Sequence, residues 1–247
     1  MASVSQVATV CAVAPPHTSA CAGILQAARL LLPDLEGGRR IDAGLLRSAM
    51  EAAFGASDAA GAWDWKTAYD ACEAATILFL RKYGKALFRQ ASSPASRLAA
   101  LTRLSGLLPT HTRRSEESQT FQQFSTPIPL GLAALCAAAI APGDRVLEPS
   151  AGTGLLAILA ALAGGTLVLN ELADSRAALL EQLFRGVAIT RFDAAQIHDY
   201  LDAAIAPSVV MMNPPFSAMA NVDRRMADAA YRHVASALRV SPTVGGW

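Results

Sequence analysis

Val146-Leu147-Glu148-Pro149-Ser150-Ala151-Gly152-Thr153-Gly154 reads as a strand that runs into a glycine turn, with a helical segment starting at Leu155. Gly152 and Gly154 let the backbone come close to a ligand, and the helix start behind them presents free N–H groups and the positive end of its dipole. Such a turn serves a nucleotide-like cofactor, or it is a tight strand-to-helix connection without a ligand. It is not the GxGxxG of dinucleotide binders, because Ala157 stands at the third glycine position. Outward from this turn, short β-rich runs alternate with helical segments at 145–148, 155–163, 166–172, 175–184, 187–192 and 208–212. Continuous apolar runs such as Val209-Val210-Met211-Met212 are the mark of strands buried on both faces, so the expected fold class is α/β, a doubly wound parallel sheet. In it, 145–148 and 208–212 are adjacent parallel strands.

Upstream the grammar is purely helical. Asp42 precedes apolar residues at helical spacing and is a plausible N-cap for a helix over 42–54. A longer helix over 64–83 carries Trp65, Tyr69, Cys72, Thr76, Leu80 and Tyr83 on one broad face, with Gly84 near its end. Ser93-Pro94 opens another, with Leu98, Leu101, Leu104 and Leu108 as its stripe. The polar stretch Pro109 to Thr120 is the expected boundary. The division is a weakly ordered leader over 1–22, a helical domain over 23–108, a linker over 109–120 and a sheet domain over 121–247.

Composition sets the limits. Of 247 residues, 53% are hydrophobic and 17% charged, which excludes intrinsic disorder, and a net charge of +1 provides no bulk field for a polyanion. The basic pairs Arg113-Arg114 and Arg224-Arg225 can touch phosphates or be solvated surface. Cys11, Cys21, Cys72 and Cys136 match neither a metal pair nor a dense disulfide framework and read as reduced, structural thiols of a cytoplasmic protein. The first 28 residues lack charge, but there is no basic leader, and Pro15-Pro16-His17 interrupts the apolar run, so neither a signal peptide nor a membrane span is expected.

Two further signals lie at strand ends. Leu167-Val168-Leu169-Asn170-Glu171 places a carboxylate 17 residues after Gly154, where a doubly wound fold holds the two hydroxyls of a ribose; a solvated strand-end charge is the alternative. Asp193 can accept from an adenine amino group or cap a turn. Met212-Asn213-Pro214-Pro215-Phe216 then ends the 208–212 strand. Its two prolines cannot donate, so the carbonyls around them act as acceptors, while Asn213 adds a side-chain carbonyl and Phe216 an aromatic face. That combination suits the exocyclic nitrogen of a planar base.

Glu148-Pro149-Ser150-Ala151-Gly152-Thr153-Gly154 followed by Asn213-Pro214-Pro215-Phe216 resembles class I S-adenosylmethionine-dependent amino-methyltransferases, above all the DNA adenine-N6 enzymes, whose sheet is Rossmann-like. Gln122-Gln123-Phe124-Ser125-Thr126-Pro127 resembles their additional cofactor motif, in an order similar to the gamma arrangement. More closely, 110–240 resembles the amino-terminal methyltransferase-like part of plasmid and phage proteins that carry a strawberry-notch-like helicase. The words that carry this are Thr110-His111-Thr112-Arg113-Arg114-Ser115-Glu116-Glu117-Ser118, Gln123-Phe124-Ser125-Thr126-Pro127-Ile128-Pro129-Leu130-Gly131 and Asn170-Glu171-Leu172-Ala173-Asp174.

The resemblance implies S-adenosylmethionine as cofactor and no metal. Phe124, Thr126 and Pro127 would meet its methionine end, Glu148 would orient the amino group, and Pro149, Ser150, Ala151, Gly152, Thr153 and Gly154 would line it. Glu171 would hold the ribose and Asp193 would reach the adenine. Asn213 and Pro214, followed by Pro215 and Phe216, would accept the hydrogens of the target amine and stack on its ring. DNA is the implied substrate and a helicase module the implied partner. A base in RNA, a protein amide, or a catalytically silent docking module are the competing functions. Only 31 residues follow Phe216, so the family's fifth strand and final strand pair are expected to be missing.

Overall fold

The computed structural model describes residues 16–109, 125–214 and 227–240. Residues 1–15 of the expected leader, most of the 109–120 linker, and Phe124, Pro215, Phe216 and both Arg pairs therefore lie outside the described residues. Four helices come first: α1 (Pro16–Glu36), α2 (Ala43–Phe54), α3 (Trp65–Gln90) and α4 (Pro94–Gly106). Then follow α5 (Ile128–Ala138), β1 (Arg145–Glu148), α6 (Leu155–Ala163), β2 (Thr166–Asn170), α7 (Asp174–Leu183), β3 (Ile189–Thr190), α8 (Ile197–Tyr200), β4 (Val209–Val210) and α9 (Ala227–Arg239).

Local capping chemistry starts the early helices. Asp42 accepts from the Leu45 N–H at 2.8 Å, Asp64 from the Thr67 N–H at 2.7 Å, and Ser93 and Ser96 form a reciprocal capping box. Two expectations fail here. Helix α3 runs through Gly84 to Gln90, because Gly84 marks no terminus; its missing side chain makes room for Leu162 of α6, whose Cδ1 would lie 2.6 Å from an added Cβ. Leu98 is exposed, so the buried stripe of α4 reduces to Leu101 and Leu104. Helix α1 begins at Pro16, inside the stretch 1–22 read as a leader, and buries Cys21.

The sheet is parallel, in the order β3-β2-β1-β4, with Val146 opposite Val209 and Leu147 opposite Val210. Strands 145–148 and 208–212 are thus neighbours, as expected. By hydrogen bonds the pairing extends from Ser208 N–H on Arg145 O to Met211 N–H on Leu147 O, both 2.9 Å. Each face is covered. Val146 and Leu169 pack with α6 and α7, and this core continues without a break into α1, α2, α3 and α4. Leu147 packs on the other side with Ile197 and Leu201 of the α8 segment, joined by Val168, Val210 and Val240. The result is a Rossmann-like, doubly wound sheet preceded by helices. The helix between β3 and β4 was not foreseen; its four residues are too few to show a helical period.

Helices α1 and α3 form a further layer outside α6 and α7. Lys82 of α3 pairs with Glu36 of α1 at 2.7 Å, and the Arg81 guanidinium donates to the Leu183 carbonyl at the end of α7. Among the described residues no helix is long and apolar enough to cross a membrane. Cys21 and Cys72 are free and buried, and burial pushes both thiols up, whereas Cys136 is free but exposed, contrary to a structural role for all the cysteines.

Candidate cofactor site

Parallel strands all end on one side, so this sheet brings the ends of β1, β2, β3 and β4 to a single edge. Asn170 ties three of them. Its side-chain N–H groups donate to Pro149 O at 2.8 Å and Phe192 O at 2.9 Å, and its Oδ1 accepts from the Phe192 N–H and the Thr190 hydroxyl, each at 2.8 Å. Every hydrogen-bonding group of this buried amide is used. The same bonds explain why β3 stops at Thr190 instead of reaching 192: the Asn170 side chain takes the place of a backbone partner for Phe192.

The glycine turn then leaves β1. Gly152 has φ +58° and Gly154 φ +98°, both in the left-handed region that favours glycine. Their surroundings differ. A Cβ on Gly154 would lie 2.4 Å from Phe184 Cε2, whereas on Gly152 it would meet, among the described residues, only Arg176 Nη1, at 3.9 Å. Gly154 is needed for packing, and among the described residues nothing fills the space beside Gly152.

Glu171 follows β2 and accepts from the Gly152 N–H at 2.8 Å through Oε2 and from the Ala173 N–H at 2.9 Å through Oε1. It therefore clamps the glycine turn to the start of α7, and this local turn ends β2 at Asn170 rather than at 172. Two lone-pair positions remain on such a carboxylate for a ligand's hydroxyls. Leu172, next in the chain, is 61% exposed and offers an apolar surface beside it.

Glu148, at the end of β1, is 3% exposed. One of its oxygens accepts from the Ala157 N–H in the first turn of α6, while Oε2 finds no partner among the described residues. Burial, reinforced by Glu171, pushes the Glu148 carboxyl well above the usual carboxylate range. A buried acceptor without a donor is costly in the folded chain. A cationic ligand group would offset that cost.

Helix α3 contributes residues the sequence reading passed over. Glu73 accepts from the Thr153 hydroxyl of the glycine turn and from the Ser125 hydroxyl, just ahead of Thr126 and Pro127. Burial, helped by Asp70, pushes the Glu73 carboxyl up, against the pull of Arg176 and the two hydroxyls. Arg176 of α7 forms a two-point ion pair with Asp70, Nη2 to Oδ1 at 2.8 Å and Nε to Oδ2 at 3.3 Å. Burial works against this guanidinium, but Asp70, with Glu73 and Glu171 behind it, outweighs that and keeps it protonated. The available signal was Asp70 and Glu73, three positions apart, amid Ala71, Cys72, Ala74 and Ala75, all buried.

Asp193, exposed, caps the short turn at Ala194–Gln196, its Oδ1 accepting from the Ala195 N–H at 2.9 Å. Asn213 and Pro214 are half-buried and follow β4 at the same edge as Glu148 and Glu171. Thr126 is half-buried and Pro127 exposed ahead of α5. Among the described residues no three His, Cys, Asp or Glu side chains converge as metal ligands.

Fold and site together define a Rossmann-like α/β protein with a left-handed glycine turn and an acidic, buried rim. The chain is similar to TrmN from Thermus thermophilus, with 21% identity and a TM-score of 0.41 over 60% of this chain and 52% of that one. It is also similar to a candidate RNA methyltransferase from Pyrococcus horikoshii, with 22% identity and a TM-score of 0.45 over 59% of this chain and 70% of that one. The chain thus spans about half the length of TrmN. No protein-family model and no curated protein matches it.

Proposed function

We propose that the chain binds S-adenosylmethionine at the C-terminal edge of its sheet and transfers a methyl group to an exocyclic amine, adenine N6 of DNA being the acceptor to which Asn213-Pro214-Pro215-Phe216 point. The observation that carries this is the charge balance of the rim: Asp70, Glu73, Glu148 and Glu171, with Arg176 as the one cation among these five buried side chains. Burial pushes Glu148 and Glu73 of this acidic set toward the neutral form, so a pyrophosphate, which would oppose their ionisation, is not favoured, whereas a ligand bearing cationic groups is, because it lets them ionise. S-adenosylmethionine carries two, an ammonium and a sulfonium. Among the described residues Glu148 Oε2 has no partner and suits the ammonium, Gly152 is open on one side and suits close approach, and Glu171 retains acceptor capacity for ribose hydroxyls. Thr126 and Pro127 then border the methionine end, and Asp193 keeps an oxygen for the adenine.

When bound, the cofactor supplies an electrophilic methyl group. The chain's part is positioning. Asn213 Oδ1 and the Pro214 carbonyl would accept the two hydrogens of the target amine and orient its lone pair, one of those protons passing to water after transfer, and Pro215 and Phe216 would be assigned to the ring. Fixing two reactants in attack geometry can supply roughly 7 to 11 kcal/mol of the barrier. A base in RNA or a protein amide presents the same planar amine, and a helicase module, on this or another polypeptide, would present the nucleic acid.

The test is transfer of label from methyl-labelled S-adenosylmethionine to DNA, RNA and protein. Label in DNA adenine that disappears with Asn213→Ala supports the proposal. Label in RNA or protein alone reassigns the acceptor, and binding without label leaves a docking function.

A further inference from the structure

The helical region and the glycine turn meet through Glu73. It projects from the middle of α3, is 4% exposed, and takes hydroxyl hydrogens from two places far apart in the chain: Thr153 in the turn and Ser125 ahead of Thr126-Pro127. These are the two segments that the proposed function assigns to the cofactor. Thr153 is itself 3% exposed, so its hydroxyl is committed to Glu73 rather than to solvent. The Asp70–Arg176 pair, one helical turn away on α3, anchors the same helix to α7, and Arg176 Nη1 is the atom nearest the open side of Gly152. Nothing in the packing of α3 requires a carboxylate here; Ala71, Cys72, Ala74 and Ala75 around it are small and apolar or nearly so. A buried carboxylate is costly for folding, which is the expected signature of a group kept for another purpose.

We propose that Glu73 is a positioning residue of the cofactor site, clipping the Thr153 turn to the Ser125 segment so that the helical region sets cofactor affinity. The inference rests on the reading of this edge as a S-adenosylmethionine site. Glu73 acts through Thr153 and Ser125, not by touching the cofactor.

The experiment is titration calorimetry of the full chain with S-adenosylmethionine, together with thermal melting, for Glu73→Leu, Thr153→Val and the double variant. Glu73→Leu removes the acceptor and the buried charge, so affinity should fall at least about tenfold while the melting temperature holds or rises. Thr153→Val breaks the clip from the turn side and should give a comparable loss. The double variant should lose no more than the weaker-binding single variant, because both cut one interaction. Affinity of Glu73→Leu within twofold of wild type, or losses that multiply in the double variant, would overturn the proposal. So would a Glu73→Leu chain that no longer folds, which would make Glu73 a stability residue. A folded wild-type chain that binds no S-adenosylmethionine instead removes the reading of the site, and this inference with it.

Discussion

Arg176→Met isolates the tie between the helical region and the sheet. Both partners of the Arg176–Asp70 pair have side chains 7% exposed, and the two are joined at 2.8 and 3.3 Å. Methionine fills the space of the aliphatic stem but leaves Asp70 as a buried, unpaired carboxylate beside Glu73. Breaking a buried pair from one side costs about 3 to 5 kcal/mol. At roughly 2 to 4 °C per kcal/mol for a domain of this size, the melting temperature should fall by about 6 to 20 °C. Circular dichroism at 222 nm, or dye-based melting, measures it. Asp70→Leu combined with Arg176→Met removes both charges and should return most of the loss, to within about 1 kcal/mol. An Arg176→Met protein that melts within about 2 °C of wild type would refute the reasoning, because that is the behaviour of an exposed pair, worth about 0 to 1 kcal/mol.

Three other outcomes follow from the geometry. Gly154→Ala places a Cβ 2.4 Å from Phe184 Cε2 at φ +98° and should destabilise by about 2 to 5 kcal/mol, whereas Gly152→Ala, at φ +58° with open space, should cost about 1 to 2 kcal/mol yet weaken cofactor binding; urea titration and calorimetry separate the two. Glu148→Gln should stabilise the free protein relative to wild type increasingly as pH rises. Because the folded carboxyl sits above its unfolded value, the native state holds a proton the unfolded chain has lost, so wild-type stability falls through that window at up to about 1.4 kcal/mol per pH unit, and glutamine removes this slope while weakening cofactor binding; melting from pH 5 to 8 reads it. Of Cys21, Cys72 and Cys136, only Cys136 should react with a thiol reagent in the native state, as mass spectrometry after labelling would show.

Features set by neighbours in the chain were legible in the sequence. Asp42, Asp64 and Ser93 cap within their own first turns, so these helix starts are visible from residue type alone. The 155–163 helix and the adjacency of β1 and β4 likewise follow from the turn and the apolar runs. Features set by distant contacts were not. Gly84 looks like a terminus until Leu162 is placed against it, and the short β3 depends on an asparagine side chain from β2. In the candidate site, Glu148, Glu171 and Asn213 sit at strand ends, positions that a linear reading can pick out. Glu73 and Arg176 belong to the site only because α3 packs on α6 and α7, a contact no local pattern in either helix encodes.

The most direct test of the account is titration calorimetry of the chain with S-adenosylmethionine and, in parallel, with NAD. The acidic rim and the Glu148 oxygen without a partner among the described residues predict binding of S-adenosylmethionine, weakened in Glu148→Gln, and no binding of the pyrophosphate cofactor. A folded chain that binds NAD, or that binds S-adenosylmethionine equally well with and without the Glu148 carboxylate, would contradict it.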